Sequence, residues 1–255
     1  MKIAVCVKHA VDESELKIDP SGKPQLDGAA TKMGTFDKNA VEEALRVKAA
    51  AGGEATAITV GKAEAKKSLK EALAMGADRG VHVVVDPGAL DPRRTSELLA
   101  AALTKTGPYD IIMCSEGSSD TYTGLVPPML AERLGLPYIG YVRKLEVSAS
   151  GVRAERSLEE SLEMVESSIP LVVSVVSEIN EPRYPTLIQI MQASKKPVQE
   201  LGADQLGTPD SPPATTVLSM SAQSSNRKRI IIEGSPDEAA AKLLDALVKE
   251  GVIQA

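Results

Sequence analysis

The sequence predicts one large α/β domain with a parallel central sheet, helices on both faces, antiparallel strands at one edge and a C-terminal arm that ends in a helix. Three features indicate this architecture. Short β-rich apolar runs alternate with amphipathic runs of helical period over residues 1–137, shorter strand-like runs follow over residues 138–176, and residues 198–227 are rich in Pro, Ser, Thr and Gly. A chain of 255 residues is long enough for one such domain with extensions.

The first half of the chain alternates four predicted strands with four predicted helices. The strands cover residues 2–8, 54–60, 81–85 and 110–114. The helices begin near Asp37, cover residues 63–75, begin again at Asp91-Pro92, and cover residues 126–134, with Asp37 and Asp91 as predicted N-caps. Such alternation favours a parallel sheet with right-handed crossovers. The polar residues 12–28 predict a surface excursion.

The second half predicts the edge strands and the arm. A Ser-Gly turn at positions 150–151 favours antiparallel pairs on one sheet edge, and residues 169–176 predict another buried strand. Pro182 and Pro185 forbid a helix before Thr186, which leaves two helical turns at residues 186–193.

The chain is expected to divide into an α/β domain at residues 1–197 and an extension at residues 198–255. The extension combines a linker-like arm, a strand at residues 227–232 and a helix that begins at Ser235-Pro236. A terminal helix reached by a long arm is expected to dock on its own domain or on another chain.

The composition excludes several classes of function. The 29 basic and 35 acidic residues give a net charge of −6, and one Phe, five Tyr and no Trp leave few stacking side chains, so a nucleic-acid partner is disfavoured. Cys6 and Cys114 lie in apolar strand-like runs, which indicates buried thiols and a cytoplasmic location. With only His9 and His82, a histidine-based metal cluster is excluded. We expect neither a signal segment nor membrane insertion, because no apolar run is long enough.

The candidate site is the polar loop at residues 115–124, between the fourth strand and the next helix. The first-turn N–H groups of a helix lack intrahelical partners and the helix dipole is positive there, so such a loop is suited to bind a phosphate. Additional donors would be the hydroxyl groups of Ser118, Ser119, Thr121 and Thr123. The alternative is that Ser119, Asp120 or Thr121 only caps the helix.

Three strand ends are expected to meet at this loop. Ligands of open parallel sheets bind beyond the carboxyl ends of strands, where the strand order reverses. Residues 6–9, 60–61 and 115–120 all lie at such ends. This convergence favours the phosphate site over the capping alternative.

The sequence contains no GxGxxG, Walker, HExxH, CxxC or GxSxG motif and no nucleophile–base arrangement. The acidic pairs Glu42-Glu43 and Glu159-Glu160 are interpreted as solvated faces. The basic pair Lys195-Lys196 and residues 227–229 are interpreted as surface charges, with docking on an acidic partner as the alternative.

Two other classes of function use the same kind of fold. An ATP-using ligase or hydrolase would need a Gly-rich loop after the first strand, where this chain has KHAVDES. A nucleotide sensor that homodimerises is disfavoured by the long arm at residues 198–227, which suggests a different partner.

Long stretches of the chain resemble one known family. The segment RSLEESLEMVESSIPLVVSVVSEINEPRYPTLIQIMQASKKP at residues 156–197 is similar to the small (β) subunit of electron-transfer flavoproteins, as are VCVKHAVD, DKNAVEEALRVK, ALAMGADRG and the SSD…TG loop that ends in AERLGLP. The resemblance implies a Rossmann-like, adenine-nucleotide-binding fold and a heterodimer with a larger α subunit that carries the redox FAD. It also implies an electron carrier, not an enzyme, between flavin dehydrogenases of the acyl-CoA type and a membrane quinone oxidoreductase.

The resemblance assigns a nucleotide pocket and a docking loop. The pocket, for AMP or a second FAD, would comprise Cys6, Gly34, Thr35, Phe36, Asp37, Val60, Ser115, Gly117, Ser118, Ser119, Asp120, Thr121, Thr123, Gly124, Leu125 and Val126. The docking residues would be Arg183, Tyr184, Leu187, Ile190, Met191 and Lys195, with Leu187 as the anchor that enters a pocket on a dehydrogenase. Without the resemblance, Leu187 would be expected to pack on its own domain.

The resemblance leaves the identity of the nucleotide open. DKNAVEEAL and the spacing of Thr123, Val126 and Pro128 are similar to electron-bifurcating members, which hold a second FAD. INEPRYPTLIQIMQASKKP and TGLVPPMLAERLGLP are similar to the simple carriers, which hold AMP. The comparison slightly favours AMP.

Overall fold

The computed structural model describes residues 1–86, 88, 90–148, 151–208, 212–222 and 229–253. The strands are β1 (Lys2–Cys6), β2 (His9–Val11), β3 (Thr31–Met33), β4 (Glu54–Gly61), β5 (Arg79–Val84), β6 (Ile111–Ser115), β7 (Tyr138–Ser148), β8 (Gly151–Ser157), β9 (Leu162–Ser167), β10 (Leu171–Val175) and β11 (Val198–Gly202). The α-helices are α1 (Thr35–Ala51), α2 (Lys66–Met75), α3 (Pro92–Thr106), α4 (Val126–Leu134), α5 (Leu187–Ala193) and α6 (Pro236–Lys249).

The described strands form one large mixed sheet and one small sheet. The large sheet has the order β11-β5-β4-β1-β6-β10-β7-β8-β9, and β2 pairs with β3 separately. All pairs from β11 to β7 are parallel, whereas β7, β8 and β9 pair antiparallel. The predicted parallel core and antiparallel edge are therefore confirmed.

Each face of the parallel sheet buries its own apolar cluster. Ile3 and Val5 of β1 belong to the cluster under α1 and α2, whereas Ala4 and Cys6 belong to the cluster under α3 and α4. This division follows from the alternation of side chains along a strand. A strand covered on both faces must be apolar throughout, which explains the continuous apolar runs in the sequence.

The strand order reverses at β1. From β1 the chain continues through β4 to β5 on one side, and α3 then returns it to β6 on the other side of β1. The carboxyl ends of β1 and β6 are therefore the topological switch point of the sheet, which is the usual place for a ligand.

Three local predictions are corrected by the structure. Asp37 is not the N-cap of α1, because the helix begins two residues earlier and Gly34 occupies the cap. Val198–Gly202, predicted as part of the arm, is the edge strand β11 and pairs with β5. A strand is predicted at residues 227–232. Its described part, residues 229–232, forms no strand, and Ile230 and Ile231 are exposed.

The physical reasons for these corrections are local. Gly34 fits the cap because a Cβ at this position would meet the carboxylate of Asp37, and its N–H donates to Lys8 O (3.0 Å). β11 carries only a weak apolar pattern, because an edge strand pairs through its backbone and only Leu201 of this strand is buried. Apolar β-branched residues alone, as at residues 230–232, do not make a strand without a paired neighbour.

Other local predictions are confirmed. Asp91 caps α3 by accepting from Arg94 N at 2.7 Å, with Pro92 at the first helical position. Thr186 caps α5, and Ser235 caps α6. Among the described residues, no helix is both long enough and apolar enough to cross a bilayer. Ser150 of the predicted turn, and Arg227 and Lys228, lie outside the described residues.

Candidate functional site

Lys8 connects the loop at residues 115–124 to the end of β1. Its Nζ donates to Asp120 Oδ1 (2.6 Å), Ser118 Oγ (3.2 Å) and Thr121 Oγ1 (3.4 Å). Burial acts to raise the pKa of Asp120, but the hydrogen bond from Lys8 acts to lower it, and the pKa lies below its ordinary value. The loop therefore lies beside the exit of β1, as the sequence predicts, with an ammonium group among its hydroxyls.

Asp37 joins three chain segments beneath this loop. Its carboxylate accepts from Ser115 Oγ (2.6 Å) at the end of β6 and from Lys8 N (3.0 Å) after β1. Burial raises the pKa of Asp37 to about 6, while these two hydrogen bonds act to lower it. A buried carboxylate without such donors would be strongly destabilising, so the polar partners explain why this carboxyl group is tolerated here.

The capping alternative is contradicted. Leu125 is the N-cap of α4, and no side chain caps the helix. Pro127 and Pro128 have no N–H, so the first turn of α4 offers fewer backbone donors than the sequence argument assumed. Anion binding here would have to rely on the loop backbone, the hydroxyl groups and Lys8.

The other predicted pocket residues lie at the same edge of the sheet. Cys6 ends β1, Val60 lies near the end of β4, and Gly34 and Thr35 start α1. The rings of Phe36 and Tyr122 pack edge to face with centroids 5.6 Å apart.

The loop residues divide by exposure. Thr121, Thr123 and Leu125 are exposed, Ser115 and Gly117 are buried, and Ser118, Ser119, Asp120, Gly124 and Val126 are half-buried. Gly124 has a φ of +64°, a left-handed conformation that favours glycine. The loop thus offers both buried and open polar groups to a ligand.

Two buried polar atoms at this edge fit a site that binds a polar group. Ser119 Oγ and His9 Nε2 are buried, and neither has a hydrogen-bond partner among the described residues. Buried polar atoms are nearly always paired, so a bound group is a natural partner for them. His9 Nδ1 lies 2.8 Å from Ser68 Oγ, and burial lowers the pKa of His9.

The second predicted site, residues 183–195, is an exposed apolar surface that we call the docking segment. Leu187 is 73% exposed, and Ile188, Ile190 and Met191 are each at least half exposed, whereas only Ala193 of α5 is buried. Tyr184, just before the helix, is 90% exposed. Leu187 does not pack on its own domain, contrary to the expectation without the family resemblance.

Both flanks of the docking segment are held by ionic side chains. Arg183 Nε donates to Glu42 Oε2 at 2.7 Å and Arg183 Nη2 donates to Glu42 Oε1 at 3.0 Å. Lys196 Nζ donates to Leu73 O (2.8 Å) and Ala77 O (2.7 Å) at the C-terminal end of α2. Arg183 thus points to α1, and Lys195 alone of the two lysines remains exposed.

The prediction that Glu42 and Glu43 form a solvated face is wrong. Both are buried, Glu42 by Arg183 and Arg46, and Glu43 by Asn180, whose Nδ2 donates to Glu43 Oε2 at 3.0 Å. No local pattern indicates this, because Arg183 and Asn180 are each more than 130 residues away along the chain.

Neither Lys8 nor His9 is among the pocket residues predicted from the sequence. Lys8 lies at the predicted end of the first strand. Its signal was available, since it is the cation that directly follows the apolar run of β1 at a predicted ligand-binding edge. There was no comparable local signal for Lys196, or for Asn39, whose Nδ2 donates to Asn180 O (2.8 Å). Each acts on a segment that is distant in sequence and lies nearby only in the folded chain.

Comparison with known proteins identifies the family to which the chain is similar. Residues 26–206 match the Electron transfer flavoprotein domain. Relatives from Thermoanaerobacterium thermosaccharolyticum, Bacillus subtilis and Clostridium acetobutylicum, each named electron transfer flavoprotein subunit beta, are 36%, 34% and 35% identical to the chain. Each alignment covers 99% of this chain and 100% of the relative.

The chain belongs to the electron transfer flavoprotein family and is similar to its β subunits. In this family member, the matched domain includes the loop at residues 115–124 and the docking segment. It also extends through β11, which agrees with the position of that strand in the sheet.

Proposed function

We propose that this chain is the β subunit of a heterodimeric electron carrier whose α subunit holds the redox FAD. The observation that carries the proposal is the exposure of α5, whose apolar side chains point away from the domain that supports them. Scattered exposed apolar residues are normal, but a contiguous exposed apolar patch indicates an interaction site. An electron carrier needs such a patch because its redox partners must bind and leave.

The anchor of this interaction is Leu187. Burying one leucine contributes about 1.5–3 kcal/mol, which suits a brief encounter better than a permanent complex. Tyr184, Ile190, Met191 and Lys195 surround it, while Arg183 is committed to Glu42. The donors are flavin dehydrogenases such as acyl-CoA dehydrogenases, the acceptor is a quinone oxidoreductase, and the compartment is the cytoplasm.

The nucleotide of the β subunit is AMP, with a structural role. The residues fit such a group: Lys8 and the loop hydroxyls supply donors for a phosphate, and Ser119 Oγ and His9 Nε2 are buried without partners in the described part of the chain. AMP brings no redox chemistry. This chain's own residues would bind and orient it, and Asp37 would keep β1, α1 and β6 in register beneath it.

The arm and α6 form the attachment to the α subunit. None of the residues of α6 is buried, although Leu243 and Leu244 lie on its apolar face. We therefore propose two parts. The first is an α/β domain that comprises residues 1–197, as the sequence predicts, together with β11. The second is an extension that docks on the α subunit.

Nucleotide analysis of the purified heterodimer tests the cofactor assignment. One FAD and one AMP per heterodimer is the expected result. Two FAD and no AMP would overturn the structural role of the nucleotide and would favour the electron-bifurcating alternative.

The variant Leu187→Ala tests the docking assignment. We expect reduction of the heterodimer by an acyl-CoA dehydrogenase to slow by roughly tenfold or more, the equivalent of about 1.5–3 kcal/mol, with unchanged flavin content. The control is Leu26→Ala, which removes another exposed leucine, in the polar excursion at residues 12–28 (47% exposed, against 73% for Leu187). Equal rates for wild type and Leu187→Ala would contradict the docking role.

A further inference from the structure

The N-terminal flank of the docking segment is attached to α1 by one buried carboxylate. Glu42, only 4% exposed, accepts from Arg183 Nε (2.7 Å), Arg183 Nη2 (3.0 Å) and Arg183 N (3.2 Å). Both carboxylate oxygens are used, and a backbone N–H is included. Bidentate charge-assisted pairs of this kind fix geometry as well as adding stability.

Neighbouring residues of α1 hold the chain just before Arg183. Asn39 Nδ2 donates to Asn180 O (2.8 Å), and Asn180 Nδ2 donates back to Asn39 O (3.0 Å) and to Glu43 Oε2 (3.0 Å). One face of α1 therefore holds residues 180–183 through hydrogen bonds that are spread over about one helical turn.

The docking segment needs this external support because its own backbone supplies little. Pro182 and Pro185 lack N–H groups, so neither can bond to a neighbouring chain. The helix α5 has seven residues, too few to be stable by itself in water. The C-terminal flank is fixed separately by Lys196 and by the pairing of β11 with β5.

We propose that Glu42 is a positioning residue for electron transfer: through Arg183 it holds the docking segment in the conformation that presents Leu187 to a dehydrogenase. The proposal rests on the docking role of Leu187 given above and adds a residue that does not itself touch the partner. Loss of the pair leaves the segment in several conformations, of which only a fraction can dock. The apparent affinity for the dehydrogenase falls by that fraction, while the electron-transfer step in the docked complex is unchanged.

The test compares Glu42→Gln, which keeps the side-chain size, with Arg46→Gln. Arg46 is the other partner of Glu42 (Nε to Oε1, 3.2 Å), and among the described residues it has no hydrogen bond to the docking segment. In the intact heterodimer, with an acyl-CoA dehydrogenase and its acyl-CoA as the electron source, we expect Glu42→Gln to raise the KM for the heterodimer roughly tenfold with unchanged kcat. Arg46→Gln is expected to change neither.

Hydrogen exchange of the same heterodimers gives a readout that does not depend on the dehydrogenase. Exchange in residues 181–193 should be faster in Glu42→Gln and unchanged in Arg46→Gln, with the rest of α1 protected in both. Arg183→Lys keeps the charge but loses the bidentate geometry, so we expect an intermediate KM and intermediate exchange.

The possible outcomes separate the two proposals. If Leu187→Ala raises the KM but Glu42→Gln does not, docking is right and the role of Glu42 is wrong. Unchanged hydrogen exchange at residues 181–193 in Glu42→Gln would also overturn the positioning role of Glu42. If Leu187→Ala has no effect, the docking role fails and the role of Glu42 fails with it. A KM effect of Arg183→Lys without any effect of Glu42→Gln would show that Arg183 contacts the dehydrogenase directly.

Discussion

Two helices in the described part of the chain, α5 and α6, expose apolar side chains, and they are held in opposite ways. The shorter helix, α5, is flanked by Arg183 bound to Glu42 and by Lys196 bound to the end of α2. The longer helix, α6, has 14 residues of which none is buried, and its polar contacts, such as Lys242 Nζ to Glu233 O at 2.9 Å, are local. One helix is part of the domain surface, and the other is attached through the arm.

This difference corresponds to two kinds of interaction. A pre-organised surface loses little conformational entropy on binding, so a small patch such as α5 can bind and release quickly. An amphipathic helix without a covered apolar face gains most from a large and lasting contact. The contrast supports the proposal that α5 binds the transient redox partners and that α6 binds the α subunit.

Replacing the apolar face of α6 should have the largest effect. For Leu243→Ser combined with Leu244→Ser, we expect the heterodimer to weaken by about 3–6 kcal/mol, because two leucines lose their burial in the interface. The measurement is the dissociation constant of the α and β subunits. Reduction by a dehydrogenase, corrected for the remaining heterodimer, should be normal.

The matched control for this pair lies on α5. Ile190→Ser combined with Met191→Ser removes a similar exposed apolar area and should leave the subunit affinity within about 0.5 kcal/mol of wild type. A heterodimer that is weakened equally by both double variants would show that the two helices do not have separate partners.

The sequence was most informative about the elements that form the sheet. Continuous apolar runs, alternating periods and the Asp91-Pro92 signal are local features, and they predicted the parallel core and the cap of α3. The strand β11 was missed because only Val198 and Leu201 carry its apolar signal. The pairing that makes it a strand depends on β5, more than 110 residues earlier in the chain.

The candidate sites were predictable in part for the same reason. The loop at residues 115–124 could be located because strand ends converge there by topology. The roles of Glu42 and Lys196 could not be predicted, because a charged residue has the same local pattern whether it faces solvent or a distant partner. Glu42 becomes distinct only when the fold brings Arg183 next to it.

The next effect in size concerns the C-terminal flank of α5. Lys196→Met should lower the free energy of unfolding by about 2 kcal/mol, because it removes two charged hydrogen bonds to Leu73 O and Ala77 O. Chemical denaturation of the chain measures this change. Lys195→Met is the matched control, and its exposed side chain should contribute less than about 0.5 kcal/mol. Equal destabilisation by both variants would mean that Lys196 is an ordinary surface lysine.

The smallest effect, and the most direct test of the contrast, comes from the two helix caps. Thr186 and Ser235 form the same capping box, with Gln189 and Glu238 respectively, and replacing either by alanine should cost about 1 kcal/mol of local helix stability. In the full chain before the α subunit is added, Ser235→Ala should speed hydrogen exchange throughout α6, since an unsupported helix of 14 residues is marginal in water. Thr186→Ala should affect the first turn of α5 only, because Glu42 and Lys196 still fix both flanks. If hydrogen exchange throughout α5 rises as much as it does in α6, the flanking contacts do not support α5. The distinction between a pre-organised helix and a helix attached only through the arm would then fail.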